Sequence, residues 1–105
     1  MRHIKTILPK ELDPGITGYY AHGVNHTFGY VELKAGSSVL MHQHVHEQIT
    51  YILEGQIDMI IGGVDCSLTT GMYYIIHPNT PHSANAKTDC KVIDTFSPVR
   101  EDYKS

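Results

Sequence analysis

Five of the chain's eight histidines fall at positions 42, 44, 46, 77 and 82. His42, His44 and His46 alternate, the spacing that would put three imidazoles on one face of an extended strand, and Gln48 continues the parity. Neutral imidazole is the commonest side-chain metal ligand, and two of them from one strand supply one edge of a coordination sphere. A further ligand must come from elsewhere in the chain. His82 is the natural candidate, because Pro78 and Pro81 stiffen the turn that carries it. The alternative is a row of histidines along a solvated edge.

A second constellation lies near the end of the chain. In the run Cys90 to Phe96, Cys90, Val92, Asp94 and Phe96 share a face, which sets Asp94 between two apolar neighbours. Turned inward, it is a buried acid with a perturbed pKa and a candidate general base. Turned outward, it is an exposed acid on an edge strand. Phe96 reads as core. Arg100, one of only two arginines, follows Pro98 and offers either a fork for a carboxylate or a solvated tail residue.

The elements that must position these residues read as β throughout. Apolar and polar residues alternate with period two in short runs closed by glycine, asparagine or proline. The runs are Thr27 to Lys34, Gln48 to Leu53, Gln56 to Ile61, Val64 to Leu68, Met72 to Ile76 and Cys90 to Phe96. Gly62-Gly63 signals a two-residue hairpin. His77-Pro78-Asn79-Thr80-Pro81 is a rigid turn, Leu12-Asp13-Pro14-Gly15 is another, and Ile16 to Gly23 reads as an edge strand. Arg100 to Ser105 is too polar for core. Roughly eight to ten short strands predict a sandwich or closed barrel with almost no helix.

Composition narrows the function. A chain of 105 residues and 11.8 kDa buries roughly two-thirds of its surface, enough for one core and one domain. The net charge of -3 and the absence of a basic cluster argue against nucleic acid. No apolar run is long enough to span a membrane, and no apolar leader is readable after Met1. Two cysteines, Cys66 and Cys90, form neither a disulfide framework nor a redox pair, which suits a cytoplasmic protein.

The spacing from Gly36 through His42, His44 and Gln48 to Gly55 resembles the first cupin motif, with Gln in place of the usual Glu. Gly71, His77-Pro78-Asn79 and His82 resemble the second, with His77 where proline is usual, Asn79 for glycine, Met72 for an acid and Ala86 for the final asparagine. The resemblance implies an all-β, single-domain cupin, a double-stranded β-helix or jelly-roll barrel. It also implies one divalent transition metal (nickel, zinc, iron, manganese or copper) held by His42, His44, Gln48 and His82. His46 falls outside that ligand pattern and borders the site, His77 takes a structural place, and parity turns Glu47 to the opposite face. A neutral Gln leaves the full dipositive charge on the metal and favours Lewis-acid chemistry over a change of oxidation state.

The segments His42-Gln43-His44-Val45-His46-Glu47-Gln48-Ile49, Tyr51-Ile52-Leu53-Glu54-Gly55 and Ile93-Asp94-Thr95-Phe96-Ser97-Pro98-Val99-Arg100-Glu101-Asp102-Tyr103 are similar to the KdgF-type cupins of pectin and alginate breakdown. That family opens the ring of 4,5-unsaturated monouronates to linear 4-deoxy-5-keto-uronates. The likeness implies Asp94 as proton carrier, Arg100 as clamp for the C6 carboxylate and Phe96 as packing for the sugar. It also implies a small-molecule partner, an unsaturated sugar acid, and a homodimer. On this reading residues 1–26 are edge strands and a dimer arm, 27–97 the barrel core and 98–105 a tail. The alternatives are another metal-dependent cupin enzyme, a dioxygenase or lyase, and a non-catalytic sugar- or metal-binding sensor.

Overall fold

The computed structural model describes residues 1–104. Ten strands follow one another along the chain: β1 (Lys10–Asp13), β2 (Ile16–His22), β3 (Thr27–Leu33), β4 (Ser38–His42), β5 (Glu47–Glu54), β6 (Gln56–Ile61), β7 (Val64–Thr69), β8 (Tyr73–Ile76), β9 (His82–Ala86) and β10 (Cys90–Ser97). Two short 3-10 turns, Ile4–Thr6 and Glu101–Tyr103, are the only helical elements among the described residues. The strands form a six-stranded sheet, ordered β1-β2-β3-β10-β5-β8, and a four-stranded sheet, ordered β4-β9-β6-β7. Every pairing is antiparallel. The two sheets face each other as a jelly roll, the all-β cupin architecture expected from the motifs.

Period two decides which residues meet between the sheets. Val31 and Leu33 of β3, Ile52 of β5, Ile57, Met59 and Ile61 of β6 and Val92 of β10 all turn inward and are buried. Gly62 and Gly63, with φ of 56° and 81°, close the β6–β7 hairpin, for which a side chain would be strained. In β2 and β3, Gly18 and Gly29 leave room for one ring. A Cβ on either glycine would come within 2.5 Å and 2.6 Å, respectively, of the Tyr20 ring, which lies over both. Tyr20 is buried, and the Tyr103 ring lies 4.6 Å from it, centroid to centroid.

Three expectations change. The alternating histidines do not lie along one strand: β4 ends at His42, and 43–46 form the connection to β5. Ile16 to Gly23 is not an edge, because β1 pairs outside it through Lys10–Gly18 and Glu11–Thr17. The C-terminal segment is not uniformly solvated. Val99 and Arg100 are each 6% exposed, and Tyr103 packs on the core. An arginine can be buried there because two aromatic rings flank it and an acid pairs with it.

Candidate metal centre and active site

His42 ends β4 and His82 begins β9, and the two are direct register partners. His44 comes from the β4–β5 connection, which is tied to the rigid turn by a 2.8 Å hydrogen bond from Asn79 N–H to the His44 carbonyl. Asn79 adopts φ 59°, a left-handed conformation asparagine tolerates. One ligand atom from each of His42, His44 and His82 lies within 4.8 Å of the others. His82 is almost fully buried and His42 is open at the mouth.

The tautomers of this cluster are set by the backbone. Nδ1 of His42 is 2.9 Å from the Leu40 carbonyl, that of His44 is 3.0 Å from the His46 carbonyl, and that of His82 is 2.7 Å from the Thr80 carbonyl. A carbonyl only accepts, so each Nδ1 carries the proton and each Nε2 keeps a lone pair. The Nε2 of His82 is buried with no hydrogen-bond partner. The Nε2 of His44 faces the Oε1 of Gln48 at 3.1 Å. The Gln48 amide nitrogen is committed elsewhere, donating to Thr50 Oγ1 at 2.9 Å and Asp94 Oδ1 at 3.3 Å. Two acceptors therefore point at each other, an arrangement that needs a positive charge between them. Burial, with Arg100 and His82 adding to it, lowers the His44 pKa to about 4, so a proton is a poor candidate. Three imidazole nitrogens and an amide oxygen suit a divalent transition metal.

Asp94 stands beside this cluster on β10, which lies between β3 and β5 and not at an edge. Its Oδ1 accepts from Thr50 at 2.7 Å and from Gln48. Both bonds fall on one oxygen, so Oδ2 is not engaged by either, and Asp94 lines the cavity. Burial raises the Asp94 pKa above the usual carboxylate range, while the bonds from Thr50 and Gln48 and the nearby Arg100 pull the other way. Thr50, 2% exposed and on the inward parity of Gln48, is a site residue the sequence reading missed. Its signal was a polar residue on a face otherwise destined for the core.

The cavity occupies the barrel interior at the mouth, about 80 Å³, with His42, Gln48, His82, Asp94, Phe96 and Arg100 among its walls. Phe96 packs edge-on against His44, centroids 5.8 Å apart. His46 lies outside the ligand cluster, 5.4 Å from His44 and 6.3 Å from Phe96 between ring centroids, and its Nδ1 is buried without a partner. His77 is exposed and away from the cluster, and Glu47 is exposed on the outer face.

Comparison with known proteins agrees with this geometry. The family model described as "Cupin domain" matches residues 29–96. The chain is 35% identical over 75 residues to "Pectin degradation protein KdgF" of Dickeya dadantii (strain 3937), covering 70% of this chain and 68% of that one. The solved structure of KdgF from Halomonas sp. superposes with a TM-score of 0.87 at 30% identity, over 95% of this chain and 94% of the other. An RmlC-like cupin from Shewanella frigidimarina NCIMB 400 gives a TM-score of 0.91 at 26% identity, covering 98% and 94% of the two chains. A family match across most of the barrel and a relative aligned over two-thirds of both chains settle the placement: the chain belongs to the cupin family, as a small single-domain member resembling the KdgF proteins.

Proposed function

We propose that the protein is a metal-dependent enzyme that opens the ring of 4,5-unsaturated monouronates to linear 4-deoxy-5-keto-uronates. The observation that carries this reading is Asp94, a half-buried acid fixed through one oxygen, on the wall of a cavity it shares with His42, His82 and Arg100. The likeness to a protein named for pectin degradation supports the substrate class.

Asp94 Oδ2 accepts the proton of the substrate's C1 hydroxyl as the C1–O5 bond breaks and the C1 aldehyde forms. The electron pair of that bond stays on O5, giving an enolate across O5, C5 and C4. Asp94 then returns the proton to C4, which leaves a ketone at C5. Nothing is oxidised or reduced. A divalent metal held by His42, His44, Gln48 and His82 supplies Lewis-acid stabilisation for negative charge developing at oxygen. Arg100 holds the C6 carboxylate, and Phe96 packs against the sugar. The raised Asp94 pKa makes it a better proton acceptor than a solvated acid.

Two further elements belong to the same reading. Cys66 and Cys90 are unbridged, which suits a reducing cytoplasm, and no helix among the described residues is long and apolar enough to cross a membrane. The outer face of the six-stranded sheet carries apolar cross-strand rows, Phe28–Thr95–Ile49–Ile75 and Tyr19–Tyr30–Ile93–Tyr51–Tyr73. Five of these side chains (Phe28, Ile49, Tyr51, Tyr73 and Ile75) and Leu53 are 38–64% exposed. A contiguous exposed apolar band of this kind marks an interaction surface, and a homodimer through this face is the assembly we propose.

The test is the ultraviolet absorbance of the conjugated C4=C5 bond, followed with monouronates from pectin and alginate lyase digestion. Accelerated loss that a chelator abolishes is the expected result. Loss at the spontaneous rate, with metal bound, overturns it in favour of another cupin chemistry or a sensor.

A further inference from the structure

Arg100 is immobilised by its own stretch of chain. It is 6% exposed, and its Cζ stands 3.8 Å from the Tyr103 ring centroid and 4.7 Å from that of Phe96. Its Nε and Nη2 donate to the two carboxylate oxygens of Asp102 at 3.0 and 2.8 Å. A guanidinium holds five N–H groups in one plane. The Asp102 pair uses the Nε side and leaves both N–H groups of Nη1 and one of Nη2. Arg100 lines the barrel cavity and Asp102 does not. Asp102 is also the more exposed partner, its side chain 58% accessible against 7% for Arg100. The occupied side of the guanidinium therefore faces its solvent-exposed partner, while Arg100 itself forms part of the cavity wall.

We propose that Asp102 and Tyr103 are positioning residues that hold Arg100 with its Nη1–Nη2 edge presented to a single carboxylate in the cavity. This rests on the reading of Arg100 as the clamp for a sugar acid. A free arginine gives up its rotamer freedom when it binds; this one has given it up in the folded state, so the ligand does not bear that cost. The edge that remains matches one carboxylate through two parallel N–H bonds. Asp102 balances the guanidinium charge from the solvent side without occupying that edge. A neutral sugar of the same shape would leave those donors unpaired, which is how the arrangement discriminates.

The experiment measures binding of D-galacturonate and D-galactose to the metal-loaded protein by calorimetry. The two sugars differ at C6 and lack the reactive double bond. The wild type is expected to prefer galacturonate by about tenfold or more. Asp102→Asn should reduce that preference severalfold while galactose affinity stays put, and Asp102→Glu should restore most of it. In turnover of unsaturated monouronates, Asp102→Asn should raise KM severalfold with kcat within about twofold. Asp102 lies at the surface, and a melting curve confirms that each variant is folded. An unchanged preference and KM in Asp102→Asn would overturn the proposal and leave an ordinary surface ion pair. Tighter galacturonate binding in that variant would also overturn it, since Asp102 would then be a competitor for the edge. Erosion of the preference without any turnover of monouronates would uphold the positioning role and remove the ring-opening reading. Turnover that is indifferent to Asp102 would do the reverse.

Discussion

Near the mouth, the two faces of the six-stranded sheet invert the usual arrangement. On β5 and β10, toward the mouth, the inward face carries Gln48, Thr50 and Asp94, while the outward face carries Ile49, Tyr51 and Ile93. A sheet normally hides its apolar face and wets its polar one. Here the polar groups are inside, Gln48, Thr50 and Asp94 hydrogen-bonded to one another, and apolar side chains are left outside. Buried polar groups cost stability unless they are paired, so the inward set marks the proposed site. The outward set points to a surface that another sheet can cover.

The largest effect should come from the inward face. Asp94→Asn keeps the shape and removes the proton acceptor, so turnover should fall by about a thousandfold while the protein's metal content stays unchanged. Rates close to wild type would take Asp94 out of the mechanism. Ile49→Glu is the sharper contrast, because Ile49 lies between Gln48 and Thr50 yet points the other way. It should weaken the dimer by about thirtyfold or more, about 2 kcal/mol, measured by sedimentation, and leave kcat within about twofold. Loss of chemistry with the dimer intact would show that the two faces are not independent.

Gly29→Ala probes how the inward face is built. Its Cβ would meet the Tyr20 ring at 2.6 Å, so the ring must shift toward the cavity. Overpacking of this kind costs about 1–3 kcal/mol, seen as a melting temperature lower by several degrees. An unchanged melting temperature would mean the ring has room to yield. Lys91→Ala should do least. The Lys91–Glu54 pair spans 3.5 Å with both side chains at least half-exposed, and loss of such a pair changes stability by less than about 0.5 kcal/mol in chemical denaturation. A larger loss would mean that the rim of the outward face is itself desolvated, as in an assembled dimer.

What was legible in the sequence followed from one-sided burial. β3, β5, β6 and β10 alternate because one face meets the core, so period two announced them. β4 and β9 gave no such signal. Ser38–His42 is exposed for most of its length with its pairing interrupted between Val39 and His42, and His82–Ala86 is made of small residues plus a histidine. The spacing of His42, His44 and His46 imitated a strand where the chain makes a connection, yet the residues it marked do converge, since short spacing in a tight loop also keeps side chains near one another. Arg100 read more readily as tail than as site, because polarity counts charge and not the rings that cover it. Thr50 and Asp102 act through hydrogen bonds to partners that only the fold identifies.

The three imidazoles are oriented by the carbonyls of Leu40, His46 and Thr80, and so owe their tautomers to backbone atoms that no point mutation deletes. Metal sites oriented by side-chain carboxylates inherit a second set of positions at which a substitution can disable them. This one does not. Drift at those neighbouring positions leaves the imidazoles aimed, and the residues proposed to meet the substrate, Asp94, Phe96 and the Arg100 strap, sit on different segments. Selection can therefore change what the barrel accepts without first rebuilding what holds its ion. That separation makes a 105-residue scaffold readily re-purposed from one small molecule to another.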